Sequence, residues 1–326
     1  MNDELIPFQK VLDILLDESK DIPHQYLTEF SDIDPASLKS LQENWSRIGL
    51  GRKLLLLDQL NTLANVDTLV SFDDLGRALL TDDEPQVRIR AMHLLIECED
   101  HRLVPIYIDM LTRDKDVAVR AEAASTLGIF VQLGEFDSIP EDVHHQIEDV
   151  LLAALNSEDE SPVRRRSLEA LGFSSRPEVP VLIESAFKRQ DPDWQASAIF
   201  AMGRSNDERW ADKVLRSMIS EDRRIRLAAV QACGELSLAL ARPLLLRLLE
   251  DEDDEAIVGA AIWSLSQIGG EDVRLYLQNL LDKVEDDDQA AFLEEALDNL
   301  AFTEDMGTFD LLAFDADELD ELDLEE

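Results

Sequence analysis

Cysteine is nearly absent, with only Cys98 and Cys233 in 326 residues. Two cysteines in separate apolar, helical stretches exclude a disulfide framework and read as buried small hydrophobes of a reduced, intracellular protein. Bases are scarce too: 30 Lys and Arg face 71 Asp and Glu, a net charge of -41. Such a surface repels nucleic-acid phosphate and anionic membranes, so no nucleic acid and no membrane is expected as a partner. A basic protein segment remains open, beside the plainer alternative that the acidity serves solubility in a salty cytoplasm. No apolar run approaches a membrane span. The opening MNDELIPFQK lacks the cationic start of a secretory signal, so the cytoplasm is the expected location.

The motifs that carry chemistry are missing as well. There is no G-x-x-x-x-G-K, G-x-G-x-x-G, H-E-x-x-H or C-x-x-C. Of the five histidines, His144 and His145 lie in PEDVHHQIEDV, where helical spacing pairs His144 with Glu148 and His145 with Glu141. One such pair per face is too few ligands for a closed zinc site, so a solvated face opposite Val143, Ile147, Val150 and Leu151 is expected. The acid clusters 250–255 and 285–288 lack the glycine and spacing of a calcium loop. No catalytic residue, cofactor or metal is expected.

What the chain does have is a repeat. Val87, Val119, Val163, Trp194, Ile225 and Ile257 recur in steps of 31 or 32 residues, with one step of 44. Four residues after each anchor stand Ala91, Ala123, Ser167, Ala198, Ala229 and Ala261; eight after it stand Leu95, Leu127, Leu171, Met202, Cys233 and Leu265. Offsets of four and eight share a helical face, and a small middle residue lets a neighbouring helix approach. Three residues before every anchor is an acid (Glu84, Asp116, Glu160, Asp191, Asp222, Asp254), suited to a helix start, where Pro85 and Pro192 also fit. Nine after the anchor, Gly128, Gly172, Gly203 and Gly234 allow close packing, because apolar residues continue beyond several of them. The second helix of each unit opens with Pro105, Pro180 or Pro243. Neither helix covers its apolar stripe alone, so neighbouring units must stack.

The D-x-x-V-R-x-x-A-x-x-x-L-G pattern resembles the HEAT-repeat superfamily, particularly its short bacterial form also seen in phycobilisome bilin lyases. The resemblance implies an all-α fold, a right-handed α-solenoid of stacked antiparallel helix pairs. It also implies a ladder between units, formed by the Asp of that motif and the V-R arginines Arg88, Arg120, Arg164 and Arg226, and broken at Gln195 and Val258. Deoxyhypusine hydroxylase-like relatives hold two irons through His-Glu dipeptides, and none occurs here. Bilin lyases share the repeat, but no separate motif carries their activity over.

In chain order, residues 1–49 are expected to form an N-terminal helical cap and 50–300 the repeats. The extra residues near Val131 to Pro140 should project as a loop. Residues 301–326 read as an acidic, disordered tail, with eleven acids and no base from Glu304 onward.

Three sets of residues are candidates for partner contact. The resemblance implies that the V-R helices line the inner surface, and six after each anchor that surface would present His93, Ser125, Glu169, Phe200, Gln231 and Trp263; aromatics among them suit a hot spot, and packing between adjacent units is the alternative. The turns before the V-R helices carry acids beyond what capping needs: Asp82, Asp83, Glu158, Asp159, Glu252 and Asp253. In the tail, Phe309, Leu312 and Phe314 form an apolar cluster among acids. The function expected is a non-enzymatic protein-binding scaffold or adaptor that takes a basic segment; the alternative is a bilin-lyase-like or isomerase-like enzyme on the same fold.

Overall fold

A computed structural model describes residues 6–322, with side chains described through residue 305. Among the described residues all regular structure is helical. Aspartate sets the start of the V-R helices. Asp116 accepts the amides of Ala118 (2.8 Å) and Val119 (3.3 Å), and Asp254 those of Ala256 (3.1 Å) and Ile257 (3.2 Å). Asp191 and Asp222 each accept the amide two residues on. Glu84 makes no such cap. Its extra methylene carries the carboxylate past the first-turn amides, and its own amide instead donates to Asp82 (2.8 Å). Pro85 and Pro192 occupy first turns, as do Pro105, Pro180 and Pro243 in the second helices.

The chain divides into two units, residues 1–170 and 171–326. Unit 1 begins with α1 (Phe8–Leu15), two short 3-10 turns over 24–30, and α2 (Pro35–Trp45), capped by Asp34. It continues with α3 (Leu50–Val66), α4 (Asp73–Leu79), α5 (Pro85–Leu94), α6 (Val104–Arg113), α7 (Val117–Glu135) and α8 (Glu141–Leu155); α9 (Ser161–Leu171) closes it. Helices α3, α5 and α7 pack in succession, with α4 and α6 against their neighbours in sequence. Unit 2 holds α10 (Val179–Phe187), α11 (Pro192–Arg204), α12 (Ala211–Ser217), α13 (Arg223–Glu235), α14 (Arg242–Asp251), α15 (Glu255–Ile268), α16 (Glu271–Leu281) and α17 (Asp287–Leu322). Here α11, α13, α15 and α17 form the packed row.

The period-four seam is the core. Ala91, Ala123, Ser167, Ala198, Ala229 and Ala261 are all fully buried, and so, within 1% exposure, are the six residues four places further on. The anchors are buried too, except Ile225, which is half-buried. Glycine serves the seam in unit 2. A methyl on Gly203 would stand 2.9 Å from the Cα of Ala232, and one on Gly234 2.8 Å from the Cα of Ser264. Those distances lie inside van der Waals contact, so α11, α13 and α15 sit closer than side chains at these positions would permit. Ser264 adds a buried hydrogen bond from its hydroxyl to the Val230 carbonyl (2.8 Å).

The long step between anchors does not form a ten-residue loop. Helix α7 runs on to Glu135 because Phe130 and Val131 continue its buried face, with Phe130 against Tyr107 at 6.0 Å between ring centroids. Only 136–140 lie between α7 and α8, with Asp137 at φ 55° making the turn. The added residues therefore extend a helix pair.

At the C-terminal end, Leu293, Ala296 and Leu300 of α17 are buried, Asn299 donates to Ser266 (2.8 Å), and Glu304 pairs with Arg274. Phe309, Leu312 and Phe314 lie outside the described side chains.

Candidate functional site

The turn acids come first, because in unit 1 the fold uses several of them. The guanidinium of Arg88 donates to the carbonyls of Asp82 (2.7 Å) and Asp83 (3.1 Å) in the preceding turn, and to the Asp114 carboxylate in the next (2.8 Å). Arg120 repeats the arrangement one step on. It donates to the Asp114 carbonyl (2.9 Å) and holds Asp159 with two bonds, Nε at 2.9 Å and Nη2 at 2.6 Å. That bidentate contact holds the Asp159 carboxyl below the usual carboxylate range. Asp82 accepts the indole N–H of Trp45 (2.6 Å) with Lys53 at 4.0 Å. An open groove of about 850 Å³ runs along these turns, but Asp82, Asp114 and Asp116 on its walls are engaged in pairs and caps. Asp83 and Glu158 are exposed.

In unit 2 the ladder is thinner. Arg226 donates to the Ser220 and Glu221 carbonyls (3.0 and 3.1 Å) and stands 3.5 Å from Glu252. Gln195 keeps one carbonyl contact, to Phe187 (3.3 Å), and carries no charge; Val258 offers no donor. Other arginines bind the caps. Arg224 joins Asp222 and Asp193 (2.7 Å each), which lowers the Asp222 carboxyl to about 2, and Arg223 holds Asp254 below the usual range. Asp253 is exposed. So Asp82, Asp159 and Glu252, counted from spacing as surplus to capping, have structural partners; Asp83, Glu158 and Asp253 face water.

The positions six after each anchor differ between units. In unit 1, His93 Nε2 lies 3.1 Å from Glu122, and Glu169 is buried and accepts from Arg166 (2.6 Å). Polar side chains there satisfy one another. In unit 2, α11, α13 and α15 bring Phe200, Gln231 and Trp263 to one cleft of about 390 Å³, shared with Glu235, Gln267 and Phe292. Phe200 and Trp263 are half-buried, and the Arg204 guanidinium lies over the Phe200 ring at 4.3 Å from its centroid. The floor is lined by Ala256, Gly259 and Ala260, whose small size opens it. Spacing alone brings out Phe200, Gln231 and Trp263. It misses Glu235 and Gln267, which lie four residues further along the same helices, and Phe292, which lies on a helix without the repeat signature.

Among the described residues no helix is long and apolar enough to cross a membrane. The solved phycocyanin lyase complex of CpcE and CpcF from Nostoc sp. PCC7120 is similar at 16% identity over 87% of this chain and 97% of that one, with a TM-score of 0.53. The karyopherin Kap121p bound to Nup53p aligns at 15% identity over 91% of this chain and 38% of its own, TM-score 0.43. Human deoxyhypusine hydroxylase aligns at 14% identity over 80% and 95%, TM-score 0.35. At such identities the likeness to the lyase complex is one of fold. No curated protein matches. The profile of HEAT repeats matches residues 72–172, 179–256 and 213–298, the same stretches in which capped helices stack through a small-residue seam, and the chain belongs to that family.

Proposed function

We propose that the protein is a non-enzymatic scaffold or adaptor that holds an extended basic segment of a partner protein in the cleft of unit 2. The reading includes a cytoplasmic setting, where the Cys98 and Cys233 thiols stay reduced. The observation that carries it is that three successive helices present the same register position, Phe200, Gln231 and Trp263, to one cleft. Half-buried aromatics of this kind anchor a partner side chain, and the apolar groove of a helical array suits a linear segment. Glu235 stands on the wall, and the net charge of -41 draws basic segments towards the chain.

The test uses the indole. Trp45, Trp194 and Trp210 are buried, so Trp263 is the tryptophan open to a ligand. Synthetic peptides combining basic residues with one aromatic should shift its emission, with affinity falling as salt rises. Followed by titration calorimetry, which does not need the indole, Trp263→Ala and Phe200→Ala should each weaken binding roughly tenfold or more, as expected when a hot-spot side chain is truncated. Equal binding of acidic peptides, no binding by any peptide, or variants that bind as the parent does would sink the proposal. The enzymatic alternative, a bilin-lyase-like or isomerase-like activity, makes a separate forecast: the purified protein would take up an open-chain tetrapyrrole and become coloured.

A further inference from the structure

The lengthened α7–α8 pair creates a cluster that the repeat pattern does not contain. Glu135 stands on the last turn of α7, and His144 and Glu148 one turn apart on α8, with one ligand atom from each within 4.8 Å of the others. His144 Nε2 lies 3.7 Å from Glu135 Oε1 and 3.8 Å from Glu148 Oε1. Both distances exceed a hydrogen bond. The nitrogen is buried with no hydrogen-bond partner, a costly state for a polar atom next to two carboxylates. Glu148 is 2% exposed. Glu135 and Glu148 each keep a further contact, and a carboxylate has a second oxygen with which to do so.

The spacing suits an ion. Ligands about 2.1 Å from a tetrahedral zinc stand roughly 3.4 Å from one another, so the two His144 distances close on a metal with shifts of a few tenths of an ångström, and the carboxylates, within 4.8 Å of each other, close with a rotation of their side chains. The ring's place is built in. A methyl on Gly134 would lie 2.2 Å from His144 Cγ, so glycine here is what allows the imidazole to lie against α7. The His145 ring stacks with it at 6.0 Å between ring centroids. Imidazole favours first-row transition ions over magnesium and calcium, which prefer all-oxygen shells. The side chains of His144 and Glu135 are 12% and 23% exposed, leaving an approach from solvent and a coordination position for water.

We propose that Glu135, His144 and Glu148 bind one divalent transition ion of the zinc class, independently of the unit 2 cleft. The site would clamp the end of α7 onto α8, and any ligand that binds the folded chain alone stabilises it by mass action.

The experiment strips the full chain with a chelator and titrates zinc chloride against a chromophoric competitor. Excess magnesium is present to occupy the exposed carboxylates. One equivalent should bind saturably and raise the thermal midpoint. Cobalt(II), as a second probe, should give visible absorption from a site of low coordination number, changed in His144→Ala. His144→Ala and Glu135→Gln should each weaken zinc binding by roughly a hundredfold, at least the cost of losing a supporting partner around a metal site. Gly134→Ala keeps all three ligands but displaces the ring, and should also lose the step. Weak, non-saturating uptake that magnesium abolishes, or variants that titrate as the parent does, would overturn the assignment. Should His144→Ala or Gly134→Ala misfold, Glu135→Gln at its partly exposed position decides alone.

Discussion

The two units apply one repeat pattern to different ends. In unit 1 the V-R arginines, Arg88 and Arg120, join consecutive turns through carbonyls and carboxylates, and the inner register is filled by polar pairs such as His93 with Glu122. In unit 2 Gln195 and Val258 interrupt that ladder, while the inner register turns aromatic around a cleft. Both share the same buried seam of small residues. The seam supports the fold in each unit, which leaves the turns and inner faces able to diverge.

The largest effect should come from breaking what the units share. Gly203→Val would drive a side chain into the Ala232 backbone and cost about 3 kcal/mol by overpacking, read as a lower urea midpoint for the transition of unit 2. Next is the ladder where it is strong. Arg120→Ala removes a bidentate ion pair with side chains only 16% and 23% exposed, together with its carbonyl contacts, and should cost about 2 kcal/mol. Arg226→Ala in unit 2, with its 3.5 Å pair, should cost clearly less in the same measurement. Mending the ladder should help a little. Gln195→Arg puts a guanidinium at the same offset from Glu221 as Arg226 has from Glu252, and should add about 0.5 kcal/mol, typical of an exposed pair. Equal losses for Arg120→Ala and Arg226→Ala would erase the contrast between the units.

The smallest effect is in acid. Asp222 has a folded pKa of about 2, below the unfolded value of about 3.9, so the stability it contributes is present above pH 4 and is lost as pH falls through 2. Asp222→Asn keeps a good cap and removes the titration. Urea midpoints for the two proteins should differ slightly at neutral pH and converge only as pH falls to about 2. Curves that stay parallel would mean that Arg224 contributes nothing through Asp222.

How much of this could be read in the sequence depends on how local the cause is. The seam follows from a period of four and small side chains, and the caps from an acid three places before the anchor. Both act within one helix or one contact layer, so Ala123 and Asp116 could be placed from their neighbours. The failures are non-local. Nothing in its own turn marks Asp159 as paired, because its partner Arg120 lies 39 residues earlier in the chain. Glu84 has the right charge and spacing for a cap but one methylene too many. Phe292 joins the cleft from a helix that breaks the repeat. Glu135 could be linked to His144 only by knowing that α7 continues past Val131, which depends on Phe130 finding Tyr107.

The interrupted ladder of unit 2 also has a mechanical meaning. A turn tied to the next by a two-bonded arginine resists sliding as well as separation, because the guanidinium plane fixes direction. A turn held by apolar contact alone resists separation and shears easily. In the row of α11, α13 and α15 the V-R position ties no turn at Gln195 or Val258, and the turns are joined instead by more exposed pairs, Arg224 with Asp193 and Arg223 with Asp254, which solvent screens. Salt should therefore loosen the turns around Phe200 and Trp263 before it loosens those joined by the less exposed Arg88 and Arg120, and leave the seam beneath unchanged.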